Sequence, residues 1–328
     1  MTAQLICGDA LDVARSLPDN SVGLIVTDPP YYRVKGEWWD RQWDTADGFL
    51  AWLGEHLAEW QRVLKPNGSL YVFASPRMAA RVEVEVGKRF EVLNRIRWIK
   101  EAGWHNKAQP EALRSFLSPW EEIIFAEHYG ADGYAKGEAG YDAKCDELRG
   151  FVFEPLRAYL ASEWARAGLG SADANIATGS FMAGHYLTQS QWALPTREKY
   201  EQLREYANAR AHGGEYLRRE YEELRREYEE LRRPFTVSAD VPYTDVWTFP
   251  TVAHYAGKHP CEKPLAMIEH IIKASSREDD TVADFFIGGG TTALAAHRLG
   301  RKFVGCDIEQ KWVTATERRL EQQQGVLL

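Results

Sequence analysis

The sequence predicts an α/β fold, a doubly wound and mainly parallel sheet interrupted by a largely helical insertion. Three observations carry this expectation. Apolar runs alternate with amphipathic ones at both ends of the chain, the rhythm of βαβ units. Those apolar runs are continuous rather than alternating, which suits strands covered on both faces. Between about 145 and 240, β-branched runs give way to charged, helix-spaced sequence.

In chain order, the run Leu5-Ile6-Cys7 precedes a helical stretch near 10–17, followed by the run from Val22 to Thr27, a helix near 46–64 and the run from Ser69 to Ala74. Strands at about 92–99 and 121–127 come next, and the Gly- and Ala-rich segment 130–140 reads as a boundary loop. In the insertion Tyr221 and Tyr228, and Leu224 and Leu231, recur at intervals of seven. From Arg197 to Arg233 ten basic residues balance ten acidic ones, which predicts one helix laced by i,i+3 and i,i+4 pairs around a single apolar stripe. Such a stripe suits a solvated helix packed on one side, or a surface for a second copy or a DNA backbone. After Pro234 the βα rhythm returns: a helix near 264–275, a strand from Thr281 to Phe286, a helix from about 291 and a strand from Lys302 to Asp307. The predicted division is a core of 1–128 and 245–328 around an insertion of 129–244.

A chain of 328 residues can bury a substantial core. No run approaches the ~20 apolar residues of a membrane span, and the first residues lack a basic segment followed by an apolar one. We expect a soluble, cytoplasmic protein with no membrane partner. Cys7, Cys145, Cys261 and Cys306 form no C-x-x-C pair, so no metal is expected. The net charge of -8 means that a nucleic-acid partner would need a local basic face. The 12 Trp, 15 Tyr and 13 Phe supply stacking surfaces for planar ligands, although most rings in most proteins serve the core.

Two motifs carry chemistry. Asp284-Phe285-Phe286-Ile287-Gly288-Gly289-Gly290-Thr291-Thr292 is a buried strand running into a glycine-rich turn and a helix, and Gly305-Cys306-Asp307 closes the next strand. The glycines let backbone approach a ligand, and an acid about 20 residues on suits ribose hydroxyls. Asp284 discriminates among ligands: a carboxylate at this turn would repel a pyrophosphate but pair with an ammonium group, favouring S-adenosylmethionine over NAD. The second motif, Asp28-Pro29-Pro30-Tyr31, follows a strand. An exocyclic amine on a base ring is a poor nucleophile and must be held with its lone pair toward the methyl donor. The Asp28 carboxylate and the Pro29 carbonyl can each accept an amine hydrogen, the two prolines stiffen the backbone, and Tyr31 can stack on the base.

With Cys7-Gly8-Asp9-Ala10, Leu17-Pro18-Asp19, Ile25-Val26-Thr27-Asp28-Pro29-Pro30-Tyr31 and Leu64-Lys65-Pro66-Asn67-Gly68, the chain resembles the amino-methyltransferases that modify DNA on adenine N6 or cytosine N4. Catalytic motif first, variable region second and cofactor motif last is the order of the β group, and His259-Pro260-Cys261-Glu262-Lys263-Pro264 matches the segment upstream of its cofactor loop. The resemblance covers about 1–128 and 245–328. It implies a Rossmann-like methyltransferase sheet with an inserted target-recognition region, S-adenosylmethionine as cofactor, and Asp28, Pro29, Pro30 and Tyr31 as catalytic residues. Asp284 would bind the methionine ammonium, Phe286, Gly288, Gly290, Thr291 and Thr292 would line the loop, Asp307 would hold the ribose, and Asp9 with Ala10 would meet the adenine end. His259 and Lys263 are further cofactor candidates, set against a plain His-Pro turn and a solvated Lys. The chain departs from the family pattern at Phe285 (usually Pro), Gly289 (usually Ser) and Cys261-Glu262 (usually Thr-Gln).

A base inside a duplex cannot reach such a site, so it must be flipped out. Arg33, Lys35, Trp38, Trp39 and Trp43 follow the tetrapeptide as an aromatic and basic loop that either closes on DNA or forms a packed Trp cluster. Residues 171–192 read as a helix-turn-helix whose second helix carries Ser180, His185, Tyr186, Gln189 and Gln191. Arg95, Arg97, Lys100, Trp104, His105, Asn106 and Lys107 are candidates for phosphate contacts. Adenine N6 is the expected target because Asp heads the tetrapeptide; N4-cytosine methylation, an RNA substrate, a non-catalytic DNA-binding module and an NAD-dependent oxidoreductase are the alternatives. The partners expected are double-stranded DNA and a second copy in a homodimer.

Overall fold

A computed structural model describes residues 3–34, 36–100, 109, 111, 113–128, 154–188, 192–210, 214–237 and 243–324. The chain forms two compact units, Met1–Asp142 with Arg233–Leu328, and Ala143–Arg232.

The first unit is built on an eight-stranded sheet: β1 (Ala3–Cys7), β2 (Val22–Thr27), β3 (Leu64–Ala74), β4 (Glu91–Ile99), β5 (Trp120–Glu127), β6 (Val246–Thr248), β7 (Thr281–Asp284) and β8 (Lys302–Asp307), in the order β1-β8-β7-β2-β3-β5-β4-β6. Every neighbouring pair is parallel except the two that β5 makes, with β3 and β4. The continuous apolar runs are explained by cover on both faces. One face buries Ile25, Leu70, Val72, Ala74 and Ile124 against α1 (Ala10–Ser16), α2 (Ala46–Val63) and α3 (Ala79–Gly87). The other buries Leu24, Val26, Tyr71, Phe73, Ile123 and Phe125 with residues of the helices between 265 and 324. Phe285 is fully enclosed and stacks on Trp60 of α2 at 5.8 Å, so the residue that replaces the family's proline joins the core. The strand expected to reach Phe286 ends at Asp284, where the glycine turn begins.

The second unit packs α4 (Glu154–Arg166), α5 (Ser171–Thr178), α6 (Arg197–Arg210) and α7 (Tyr221–Leu231) around Leu160, Trp164, Tyr200, Leu203 and Leu224. The single helix expected across 197–233 is two helices. The connection is tied to α6 instead of continuing it: Tyr200 donates to the carbonyls of Leu217 and Arg219, and the Asn208 side chain bonds both the N–H and the carbonyl of Tyr216. Leu224, Tyr221 and Tyr228 belong to this unit's own core, so the stripe on which a dimer was inferred is spent internally. The expected helix-turn-helix is also corrected. Gly179, left-handed at φ 62°, ends α5, and a four-residue 3₁₀ turn, Ala183–Tyr186, stands where the second helix was expected. Side chains compete for the helix's donors there: Ser180 accepts from the N–H of Met182 and Asn175 from that of Gly184. Ser180, His185 and Tyr186 therefore sit in turns. Gln189, Gln191, Lys35, Trp104, His105, Asn106 and Lys107 lie outside the described residues.

Three helices complete the first unit: α8 (Leu265–Ser275), α9 (Thr291–Arg298) and α10 (Gln310–Gln324). Among the described residues no helix is long and apolar enough to cross a membrane.

Candidate active site

The sheet reverses its winding between β2 and β7, which lie side by side, and ligands of doubly wound sheets bind at such a point, beyond the carboxyl ends of the strands. Both motifs end there. A cavity of about 810 Å³ opens over them, at the upper end of the roughly 300–1,000 Å³ that ligand sites occupy.

On the β7 side the Asp284 carboxylate is buried and accepts three hydrogen bonds, from the Thr27 hydroxyl at 3.2 Å, the Phe286 N–H at 3.1 Å and the Thr292 hydroxyl at 2.7 Å. Burial outweighs these donors and pushes its pKa up to about 7. A carboxylate so desolvated needs a cation to become fully charged. Gly288 and Gly290 have φ of 46° and 77°, which turns the loop so that the Gly288 N–H reaches Asp307 Oδ2 at 3.0 Å. Thr291, next in the loop, has a buried hydroxyl with no hydrogen-bond partner among the described residues. Asp307 also accepts from the Glu309 N–H, and burial raises its pKa. Asp9 caps α1 by accepting from the N–H groups of Leu11 and Asp12, so it has a structural duty as well as a place in the cavity wall, with Ala10 beside it. His56 of α2, which sequence reasoning passed over, lines the same end; its Nδ1 faces the Trp52 carbonyl at 2.8 Å and its buried Nε2 has no hydrogen-bond partner among the described residues.

His259 packs flat against Trp39 and edge-on to Trp312, 4.6 Å between centroids, with its ring over Gly288. Burial, then the neighbouring Lys263, lowers its pKa to about 4, so it is neutral at pH 7. Gly289 and Glu262, two departures from the family pattern, fit each other: a Cβ on Gly289 would press on the Glu262 carboxyl group at 3.3 Å, and Glu262 is held by Arg319 and Tyr255.

On the β2 side Lys263, expected at the cofactor, forms a buried ion pair with Asp28 Oδ2 and lies 3.3 Å from Glu121 Oε2. Among the described residues Asp28 Oδ1 has no hydrogen-bond partner. Burial raises the Asp28 pKa, Lys263 opposes that and Glu121 adds to it; the net direction is upward. Tyr31 donates its hydroxyl to Glu121 at 3.3 Å, and its backbone N–H is held by the buried Asp40 at 2.7 Å. Pro29, Pro30 and Tyr31 all line the cavity.

The loop after the tetrapeptide divides. Trp43 packs on Phe49 and Trp52, the packed-cluster alternative. Trp38 is 54% exposed at the cavity wall. Arg33 is folded onto the Tyr32 ring and donates to the Asp44 carbonyl. Of the expected phosphate contacts, Arg95 and Arg97 pair with Glu122, and Lys100 pairs with Glu121 inside the cavity wall.

Sequence reasoning missed Asp40, His56 and Glu121, gave Thr27 no role of its own, and read Lys100 as a phosphate contact. A period-two count along β4 and β5 would have placed Lys100 and Glu121 on the inward row; the others carry no local signal.

Fold and site together define a nucleotide-fold protein with a ligand crevice at the switch point of its sheet. The family model described as DNA methylase, of the N6 and N4 type, matches residues 22–318, and the chain belongs to that family. It is 26% identical over 325 residues to the DNA adenine methyltransferase YhdJ of Escherichia coli K12, covering 97% of this chain and 82% of that protein. It is 27% identical over 319 residues to the type II methyltransferase M1.MboII of Moraxella bovis, covering 94% and 92%. In fold it is similar to M1.HpyAVI solved as its S-adenosylmethionine complex (TM-score 0.52, 17% identity, 97% and 99% covered). It is likewise similar to the cytosine-N4-specific PvuII DNA methyltransferase (TM-score 0.54, 15% identity, 99% and 91% covered).

Proposed function

We propose that the protein transfers a methyl group from S-adenosylmethionine to the N6 amino group of an adenine flipped out of double-stranded DNA. The observation that carries this reading is the adjacency of two carboxylates with different duties, the part-buried Asp28 at the end of β2 and the buried Asp284 at the end of β7. The residues present fit the cofactor: Asp284 is a desolvated carboxylate suited to an ammonium group, Asp307 is suited to ribose hydroxyls, and the Gly288–Gly290 turn brings backbone close. When bound, S-adenosylmethionine supplies an electrophilic methyl on a sulfonium.

The chain's own residues do the rest. Lys263 occupies Asp28 Oδ2, so Oδ1 is the oxygen left to accept a hydrogen from the target amine, with the Pro29 carbonyl accepting the other. The amine lone pair would then point across the crevice toward the place of the methyl donor, and water would take the proton that the amine gives up. Tyr31, held at its N–H by Asp40 and at its hydroxyl by Glu121, offers its ring to the base. Trp38 is placed to meet the opened strand. The second unit is the target-recognition region in this reading, with Ser180, His185 and Tyr186 in its turns as contact candidates. A cytoplasmic place of work and a two-fold homodimer are what we expect, the dimer now resting on the general tendency of soluble proteins and to be checked by light scattering.

Adenine is favoured over cytosine by the Asp that heads the tetrapeptide and by the adenine activity in the name of the Escherichia coli relative. Transfer of labelled methyl to mixed-sequence duplex DNA, followed by nucleoside analysis, decides. Label in N6-methyladenine supports the reading, label in N4-methylcytosine moves the target base, and no label with cofactor bound rejects it.

A further inference from the structure

Strand alternation brings one polar residue to the same face of the sheet at each of four neighbouring strand ends. The inward row Leu24, Val26 of β2 continues to Asp28, and Tyr71, Phe73 of β3 to Ser75. Read toward the same edge, Phe125, Ile123 of β5 continue to Glu121 and Ile96, Trp98 of β4 to Lys100. Lys263 reaches over this edge. The result is a row of alternating charge: Lys100 Nζ to Glu121 Oε1 at 2.5 Å, Glu121 Oε2 to Lys263 Nζ at 3.3 Å, and Lys263 to Asp28. The Lys263 ammonium also sits 4.8 Å from the centre of the Phe73 ring.

We propose that Lys100 and Glu121 are positioning residues for methyl transfer, holding Lys263 and Tyr31 so that Asp28 Oδ1 stays open to the target amine. The inference rests on the methyltransferase reading above. Glu121 receives three donors on its two oxygens: Lys100, Lys263 and the Tyr31 hydroxyl. Two of them border Asp28 directly. The Tyr31 hydroxyl lies within reach of Asp28 but donates to Glu121, and no hydrogen-bond partner of Asp28 Oδ1 stands among the described residues. Anchoring Lys263 from behind fixes which Asp28 oxygen the ammonium takes. Lys100 completes the row, leaving it neutral as a whole, the condition under which buried charges are tolerated. The Glu121 carboxyl stays ionised throughout: burial alone would raise its pKa, but Lys263 and Lys100 bring it down to about 2.

The test uses the full chain, S-adenosylmethionine and duplex DNA, with wild type and Asp28→Ala as the reference pair. Glu121→Gln leaves one carbonyl oxygen for three donors. We expect its kcat to fall by about 10- to 100-fold, the scale of loss that follows a misplaced reacting group, while the S-adenosylmethionine Kd and the DNA KM stay within about twofold. Lys100→Met, one residue further from Asp28, loses less, and Lys100→Arg, which keeps the charge, recovers most of that loss. Wild-type kcat in Glu121→Gln overturns the proposal. So does a loss shared equally by kcat, cofactor affinity and thermal midpoint, the mark of a merely structural residue. If wild type and Asp28→Ala are equally inactive, the enzyme reading itself has failed and the proposal falls with it.

Discussion

The Thr27 hydroxyl donates to Asp284 Oδ1 at 3.2 Å, joining the last residue of β2 to the last of β7 across 257 positions of sequence. That contact adds a side-chain link between two strands already paired through their backbones, one leading into the tetrapeptide proposed to hold the amine and the other ending in the carboxylate proposed to hold the cofactor. It occupies one lone pair of Asp284 and leaves the carboxylate short of charge balance, which frames how the free protein responds to pH.

Cofactor binding weakens in acid. Asp284 titrates near 7 in the free protein because burial disfavours its charge, and an ammonium ligand needs the ionised form. Below pH 7 the Kd for S-adenosylmethionine therefore rises by about tenfold per pH unit, levelling off above about 8. Calorimetric titration from pH 5.5 to 8.5 measures this, and a flat profile removes Asp284 from the ammonium site.

The same group makes the free protein less stable as pH rises. Its folded pKa lies above its unfolded value of 3.8, so the stability it contributes is fully present below about pH 4 and is lost as pH climbs through 7, at about 1 kcal/mol per pH unit. Asp284→Asn removes that slope. Urea unfolding should find the variant more stable than wild type at pH 8 and little different at pH 4, while its cofactor affinity is lost.

Asp28→Ala should abolish transfer and leave cofactor affinity within a few-fold, since the proposed function gives that binding to Asp284 and Asp307. Lys263→Met tests the clamp by a different route. Without the ammonium, burial and Glu121 both push the Asp28 pKa up, so single-turnover rates fall and are recovered as pH rises. A rate loss with no recovery at high pH contradicts the assignment of Lys263 to that carboxylate.

Gly290→Ala should cost both fold and binding. Gly290 has φ 77°, and an added Cβ would fall on the Thr316 side chain, itself fully buried on α10. Left-handed strain and overpacking together predict a loss of about 2–4 kcal/mol, read as a lowered urea midpoint.

Local order determined what was legible in the sequence. Continuous apolar runs announce two-sided strands, and a strand, glycine turn and helix in that order with an acid at the mouth announce a ligand loop, because each signal is carried by residues within a few positions of one another. Asp28, Tyr31, Asp284 and Asp307 were found for that reason. Helix continuity in the second unit was not legible, since Asn208 and Tyr200 bond the connection from a distance along the chain. Nor was the antiparallel insertion of β5 between β3 and β4.

By itself, then, the sequence determined the class of fold, the two motifs and the chemistry each is suited to. Only the tertiary structure decided that Lys263 pairs with Asp28, that Glu121 and Lys100 stand behind it, and that the heptad stripe turns inward. These depend on burial and on charges brought together from β2, β4, β5 and the segment before α8. A charge is committed to a partner only when water is excluded around both, and that exclusion is a property of the assembled sheet.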